Sequence, residues 1–246
     1  MIKTLFNGSA ILRFIIWAGI RYFFACTIRK KDEAAFIHQA ERDFTEFVFR
    51  KSETRLIVSG KEWLTQIPAD RALVVVSNHE SYLDIPCIMA ALDSPLGFIA
   101  KKELARIPFL GFWILRLGGQ LIDRENLRQS HAAFKRGAAT AGNRTLLIFP
   151  EGTRNRNSTV APFKAGSFRL AFERQAIVLP LCVCGGRRKF EGNGFLSKPG
   201  DVFVTILPSV DTKTIAPDAK RAFAESVYVD VLKTYESLDA RLKQPA

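Results

Sequence analysis

The chain has 246 residues, 48% hydrophobic and 24% charged, which excludes global disorder and fits one large domain or a domain with a small accessory element. Lysine and arginine number 36 against 24 carboxylates, a net charge of +12, so an anionic partner is expected: nucleic acid, an anionic membrane surface or a phosphorylated substrate. Four cysteines in no disulfide or zinc spacing, and only three histidines, argue against a stapled or His-rich metal fold and for a reducing compartment.

The first 31 residues hold six basic side chains and no carboxylate, half of the net charge, interleaved with Phe6, Phe14, Trp17, Phe23 and Phe24. A membrane span needs about 20 apolar residues. Arg13 and Arg21 interrupt this run, and an arginine near mid-bilayer costs roughly 2.5–3.5 kcal/mol on insertion scales. An interfacial helix fits best, with aromatics in the acyl region and arginines reaching headgroups. A short tilted span ranks second and an ordinary core helix third. A signal peptide fits poorly, because Arg13 breaks the apolar region and no small-residue cleavage site follows. Asp32 or Glu33 opens a second helix, in which Phe36, Ile37, Ala40, Phe44, Phe47 and Val48 recur at helical spacing. Residues 1–50 therefore read as a helical hairpin that docks on a membrane, and residues 51–246 as the main domain.

Strands and helices alternate beyond that hairpin. Leu56–Ser59, Ala72–Ser77, Leu96–Ala100, Gln120–Ile122, Thr145–Phe149, Ile177–Val183 and Val202–Leu207 read as strands. Residues 84–92, Ile107–Leu117 (opened by Pro108), Leu127–Thr140, Lys164–Arg174 and Ala219–Leu238 read as helices. Continuous apolar strands such as Ala72–Ser77 are buried on both faces. The alternation predicts an α/β domain, a mainly parallel central sheet flanked by helices.

Chemistry concentrates just after two of these strands, where α/β sheets place their ligands. After Ala72–Ser77 comes Asn78-His79-Glu80-Ser81-Tyr82-Leu83-Asp84. The turn would bring Asp84 back to His79, fixing its tautomer and leaving the other ring nitrogen as a general base. Alone, this spacing more often marks a structural histidine and a capping aspartate. After Thr145–Phe149 comes Pro150-Glu151-Gly152-Thr153-Arg154. Glu151 and Arg154 are expensive to bury unpaired, so they are expected to face a cleft. Gly152 permits close backbone approach, and Arg154 offers a planar donor fork suited to phosphate. Lys101 and Arg124 also follow strands and extend a basic wall. No G-x-S-x-G, Walker A or G-x-G-x-x-G pattern is present, so His79 is expected to activate a substrate group directly.

Together these motifs resemble the glycerolipid acyltransferase family. Asn78 to Asp84 matches N-H-x-S-x-x-D. Lys101 to Leu104, Ile107-Pro108, Gly111 and Asp123-Arg124 match its second pattern. Phe149 to Arg154 matches F-P-E-G-T-R, Phe163 to Gly166 matches F-K-x-G, and Val178 to Val183 loosely matches V-x-P-L-x-V. The agreement covers about residues 57–210. The resemblance implies acyl transfer from acyl-CoA or acyl-carrier protein to the free hydroxyl of a lysophospholipid, foremost lysophosphatidic acid. His79 and Asp84 would be catalytic, with no metal or cofactor. Asn78, Ser81, Lys101, Arg124, Glu151, Gly152, Thr153 and Arg154 would bind substrate. It also implies a monotopic or peripheral protein on the cytoplasmic face of the inner membrane. Another lyso-lipid or glycerol-3-phosphate as acceptor would share these motifs. A non-catalytic protein that binds anionic lipid is the rival of a different class. Nucleic acid is disfavoured, because the densest basic stretch is interleaved with Phe, Ile and Trp.

Overall fold

The computed structural model describes residues 4–5, 8–29, 31–122, 145–155, 157, 159–194 and 196–243. Helix α1 (Gly8–Tyr22) continues into a π-helical stretch, Phe23–Ile28, and α2 (Glu33–Ser52) returns against it. Asp32 caps α2 through its Oδ1, which accepts the Ala34 and Ala35 amides at 2.8 and 3.3 Å. Phe14 stacks on Phe47, centroids 4.9 Å apart. Arg21, expected to reach headgroups, donates to Asp43 at 3.1 Å and lies 4.4 Å over the Trp17 ring. It ties the two helices together.

The inner side of α1 meets the main domain. Ala18 and Tyr22 are buried with Ile37 and Trp113, and Trp113 Nε1 donates to the Ile15 carbonyl at 3.2 Å. The outer side leaves Trp17, Ile20, Phe23, Phe24 and Ile28 about half exposed. Ala10–Ile28, 19 residues, is long and apolar enough by length and composition to cross a membrane.

The strands are β1 (Thr4–Leu5), β2 (Thr54–Ser59), β3 (Leu73–Ser77), β4 (Leu96–Lys101), β5 (Gln120–Ile122), β6 (Thr145–Ile148), β7 (Ile177–Cys184), β8 (Leu196–Ser197), β9 (Gly200–Ile206) and β10 (Val210–Asp211). The main sheet runs β2-β9-β7-β3-β6-β4-β5, with β10 also on β7. β3 is parallel to both β6 and β7; the β4–β6, β4–β5 and β2–β9 pairs are parallel too. Among the described residues only β7–β9 and β7–β10 are antiparallel in this sheet, and β1 pairs antiparallel with β8. The sheet is therefore mainly parallel, as the sequence predicts.

Alternation along each strand divides the core between two faces. Val74, Val76, Leu146, Ile148, Cys182 and Cys184 meet α5 (Arg169–Glu173) and α7 (Lys220–Lys243) through Leu170, Ala171, Val227 and Val231. Val75, Leu147, Leu179, Leu181 and Val183 meet α3 (Asp84–Leu92) and the end of α2 through Leu83, Cys87, Ile88 and Val48. Burying each such aliphatic side chain stabilises the fold by roughly 1.5–3 kcal/mol. The parallel core pairs bring the carboxyl ends of β3, β6 and β4 to one edge. Val76 pairs with Ile148. His79 and Glu151 thus each follow that matched pair by the same number of residues.

Three elements differ from expectation. Phe109 takes φ +61°, a left-handed conformation, so α4 begins after it and runs Leu110–Arg116. Lys164–Arg174 is split into a 3₁₀ turn, Ala165–Phe168, and the short α5. The last helix extends past Leu238 to Lys243. The expected helix Leu127–Thr140 lies outside the described residues.

Candidate active site

Asn78 leaves β3 buried and clasps β7. Its Nδ2 donates to the Val183 carbonyl and its Oδ1 accepts the Val183 amide, each at 2.8 Å. This side chain prolongs the ladder by one step and fixes where the chain turns out of the sheet. Directly beyond it, His79 Nδ1 lies 2.7 Å from Asp84 Oδ2. The same oxygen accepts the Glu80 and Ser81 amides at 2.8 and 2.9 Å. Asp84 therefore shapes the turn and orients the imidazole with one atom. With Nδ1 facing the carboxylate, Nε2 is the nitrogen available for proton transfer. One face of the ring stacks on Phe149, centroids 3.9 Å apart and planes 13° from parallel.

Glu151 holds the backbone of this histidine. Its Oε1 accepts the His79 amide at 2.7 Å, and its Oε2 accepts the Ala161 amide at 2.9 Å and Asn155 Nδ2 at 3.3 Å. The Asn155 amide donates back to the His79 carbonyl at 2.7 Å. Glu151 is thus buried, not turned to a cleft as its charge had suggested. Burial raises its pKa, and the Ala161 and His79 amides and Asn155 oppose that rise by stabilising the carboxylate.

The rest of the second motif stays nearer solvent. Gly152 takes φ +76°, and a Cβ there would sit 2.8 Å from Lys164 Nζ, so that lysine lies over the turn. Thr153 is exposed. The Arg154 guanidinium lies 3.5 Å over the Tyr82 ring centroid, and its Nη1 is 3.5 Å from Glu191 Oε1. Lys101 ends β4, exposed and 3.5 Å from Glu103. Arg124 lies outside the described residues.

Ser81, expected to bind substrate, donates through Oγ to Glu191 Oε2 at 2.7 Å. It is buried and engaged, as are Asn78 and Glu151. The structure therefore brings His79, Asp84 and Glu151 around one turn and joins Ser81 to Arg154 through Glu191.

Three residues escaped the sequence reading. Glu191 is one. Glu80 is the second: its Oε1 accepts the Gly185 and Arg187 amides at 2.8 and 3.2 Å. The third is Tyr235 of α7, whose hydroxyl donates to Glu80 Oε2 at 2.8 Å. Burial first, then the neighbouring Asp84 charge, push the Glu80 pKa up to about 7. No local spacing announces these contacts, because the partners lie more than 100 residues apart. Gly186, which opens the four-residue helix α6 (Gly186–Lys189), presses on the same turn. A Cβ there would fall 2.9 Å from Ser81 Cβ and 3.5 Å from Asp84 Oδ1.

The buried thiols are poor nucleophiles. Burial raises the pKa values of Cys87, Cys182 and Cys184 and so disfavours thiolate. With Ser81 engaged by Glu191, the Nε2 of His79 is the group left to exchange a proton at this turn.

The histidine–carboxylate pair thus lies at the carboxyl end of a central parallel strand, braced by the F-P-E-G-T-R turn. The family model described as Acyltransferase matches residues 55–184, and the chain belongs to that family. The mouse (Mus musculus) protein 1-acyl-sn-glycerol-3-phosphate acyltransferase alpha is 32% identical over 70% of this chain and 61% of its own length. The 1-acyl-sn-glycerol-3-phosphate acyltransferase of Borreliella burgdorferi is 26% identical over 75% of this chain and 73% of its own. The chain thus spans about three fifths of the mouse relative. The crystal structure of the 1-acyl-sn-glycerophosphate acyltransferase PlsC from Thermotoga maritima superposes with a TM-score of 0.75 at 26% identity. That match covers 96% of this chain and 97% of the other.

Proposed function

We propose that this protein transfers a fatty acyl group from an acyl thioester, acyl-CoA or acyl-carrier protein, to the sn-2 hydroxyl of lysophosphatidic acid, giving phosphatidic acid. The observation that carries this reading is His79 held at 2.7 Å by buried Asp84, with its ring against Phe149. The mouse and Borreliella relatives, both 1-acyl-sn-glycerol-3-phosphate acyltransferases, support this acceptor.

In this scheme His79 Nε2 takes the proton of the acceptor hydroxyl as its oxygen attacks the thioester carbon. Asp84 stabilises the imidazolium that forms. The tetrahedral intermediate then collapses, the C–S bond breaks, and the thiolate leaves with the proton returned from His79. General-base catalysis of this kind contributes about 10²–10⁴-fold. Lys101, Arg124 and Arg154 bind the acceptor phosphate, and Lys164 adds a cation over the Gly152 turn. Asn78, Ser81 and Glu151 serve by holding the loops that carry these groups.

Residues 1–50 act as the membrane-docking element and residues 51–246 as the catalytic domain. The half-exposed aromatic side of α1 enters the interface of an anionic bilayer, on the cytoplasmic face of the inner membrane, while the protein stays monotopic or peripheral. The test is the purified protein with a panel of lyso-acceptors and both thioester donors. Lysophosphatidic acid should be the preferred acceptor. Turnover of only non-phosphorylated acceptors would overturn the substrate assignment, and lipid binding with no turnover would favour a non-catalytic lipid binder.

A further inference from the structure

Glu191 lies beyond the matched family region and outside every motif in the sequence, yet it joins two of them. Its Oε2 accepts the Ser81 hydroxyl and its Oε1 the Tyr82 amide, both at 2.7 Å. Its Oε1 also stands 3.5 Å from Arg154 Nη1. Arg154 is meanwhile stacked 3.5 Å over the Tyr82 ring. One carboxylate therefore fixes the residue under the guanidinium and pairs with one edge of it. Guanidinium presents five N–H donors in a rigid fork, so an edge pinned by Glu191 leaves the remaining donors directed as a set. The Glu191 side chain is 13% exposed and that of Arg154 is 26%, so both are partly shielded from water.

We propose that Glu191 and Tyr82 are positioning residues that set the affinity for the acceptor phosphate by orienting Arg154, without acting on the proton transfer at His79. The inference rests on the acceptor reading above. Freed of the carboxylate and the ring, Arg154 becomes one flexible cation among several, and the acceptor binds more weakly while the chemistry of bound acceptor is unchanged.

The test uses the full chain in detergent or vesicles, with lysophosphatidic acid varied at saturating thioester. Wild type is assayed first. Absence of turnover there defeats the acceptor reading itself. With wild-type turnover in hand, Glu191→Gln keeps one acceptor oxygen for the Tyr82 amide, turns its NH2 to the Ser81 hydroxyl, which can accept, and removes the charge. It should raise KM for lysophosphatidic acid about 5–20-fold, the size of effect expected for one oriented charge-assisted contact, with kcat within about 3-fold. Tyr82 is exposed, so Tyr82→Ala is a safe second variant; it should raise KM similarly, and Tyr82→Phe should restore it. Adding Arg154→Ala to Glu191→Gln should bring little beyond Arg154→Ala alone, because both act through one guanidinium. Unchanged KM in Glu191→Gln and Tyr82→Ala, a loss confined to kcat, or additive effects in the double variant would each overturn the proposal.

Discussion

Replacing Glu80 with glutamine should change how stability depends on pH. Glu80 is 5% exposed and its carboxyl titrates at about 7, against 4.5 for a free glutamate. Between those values the folded protein holds a proton that the unfolded chain has lost, so stability falls as pH rises. From pH 5 to pH 8 this one group removes roughly 2–3 kcal/mol. Glutamine keeps an oxygen for the Gly185 and Arg187 amides and presents an amide to the Tyr235 hydroxyl, which can accept as well as donate. It carries no titrating proton. Glu80→Gln should therefore lie near wild type at pH 5 and exceed it by roughly 2–3 kcal/mol at pH 8. Equilibrium urea unfolding at both pH values measures this, as a relative midpoint shift of roughly 1 M. Comparing variant with wild type cancels titrating groups that do not interact with Glu80, including buried Glu41, whose carboxyl is raised to about 8. Parallel pH profiles for the two proteins would refute the reasoning.

Two further perturbations follow from the geometry. Gly186→Ala drives a methyl against Ser81, in the turn that Asp84 holds to His79, and a displacement of about 1 Å at a catalytic group costs up to about 10²-fold in rate. Its kcat should fall at least about tenfold with the secondary structure by circular dichroism intact; wild-type kcat would show that the turn tolerates the shift. Trp17, Phe23 and Phe24 together changed to serine should reduce co-sedimentation with anionic vesicles about tenfold or more, since the outer face of α1 loses its apolar contact. Undiminished binding would move the docking surface elsewhere.

Local signals in the sequence carried far where the chain itself supplies both partners. The apolar run at β3, the Asp32 cap of α2 and the return of Asp84 to His79 are all contacts within five residues or within one strand. The shared face of Cys182 and Cys184 follows from the two-residue repeat of β7. Legibility failed where backbone conformation departed from the pattern. Pro108 is a sound helix opener, but Phe109 in the left-handed region delays α4 by a turn. It failed too where charge was taken for exposure: Glu151 reads as a cleft residue until the His79, Ala161 and Asn155 donors that satisfy it are placed. Glu80, Glu191 and Tyr235 were invisible because their roles exist only after β7 and α7 fold against the turn following β3.

The central claim is that His79, oriented by Asp84, is the base that activates the acceptor hydroxyl. The most direct measurement is kcat of His79→Ala with lysophosphatidic acid and a thioester donor, alongside vesicle binding and thermal unfolding of the same preparation. The account predicts a fall of at least about 10²-fold with vesicle binding retained and cooperative unfolding preserved. Turnover within a few-fold of wild type would contradict it.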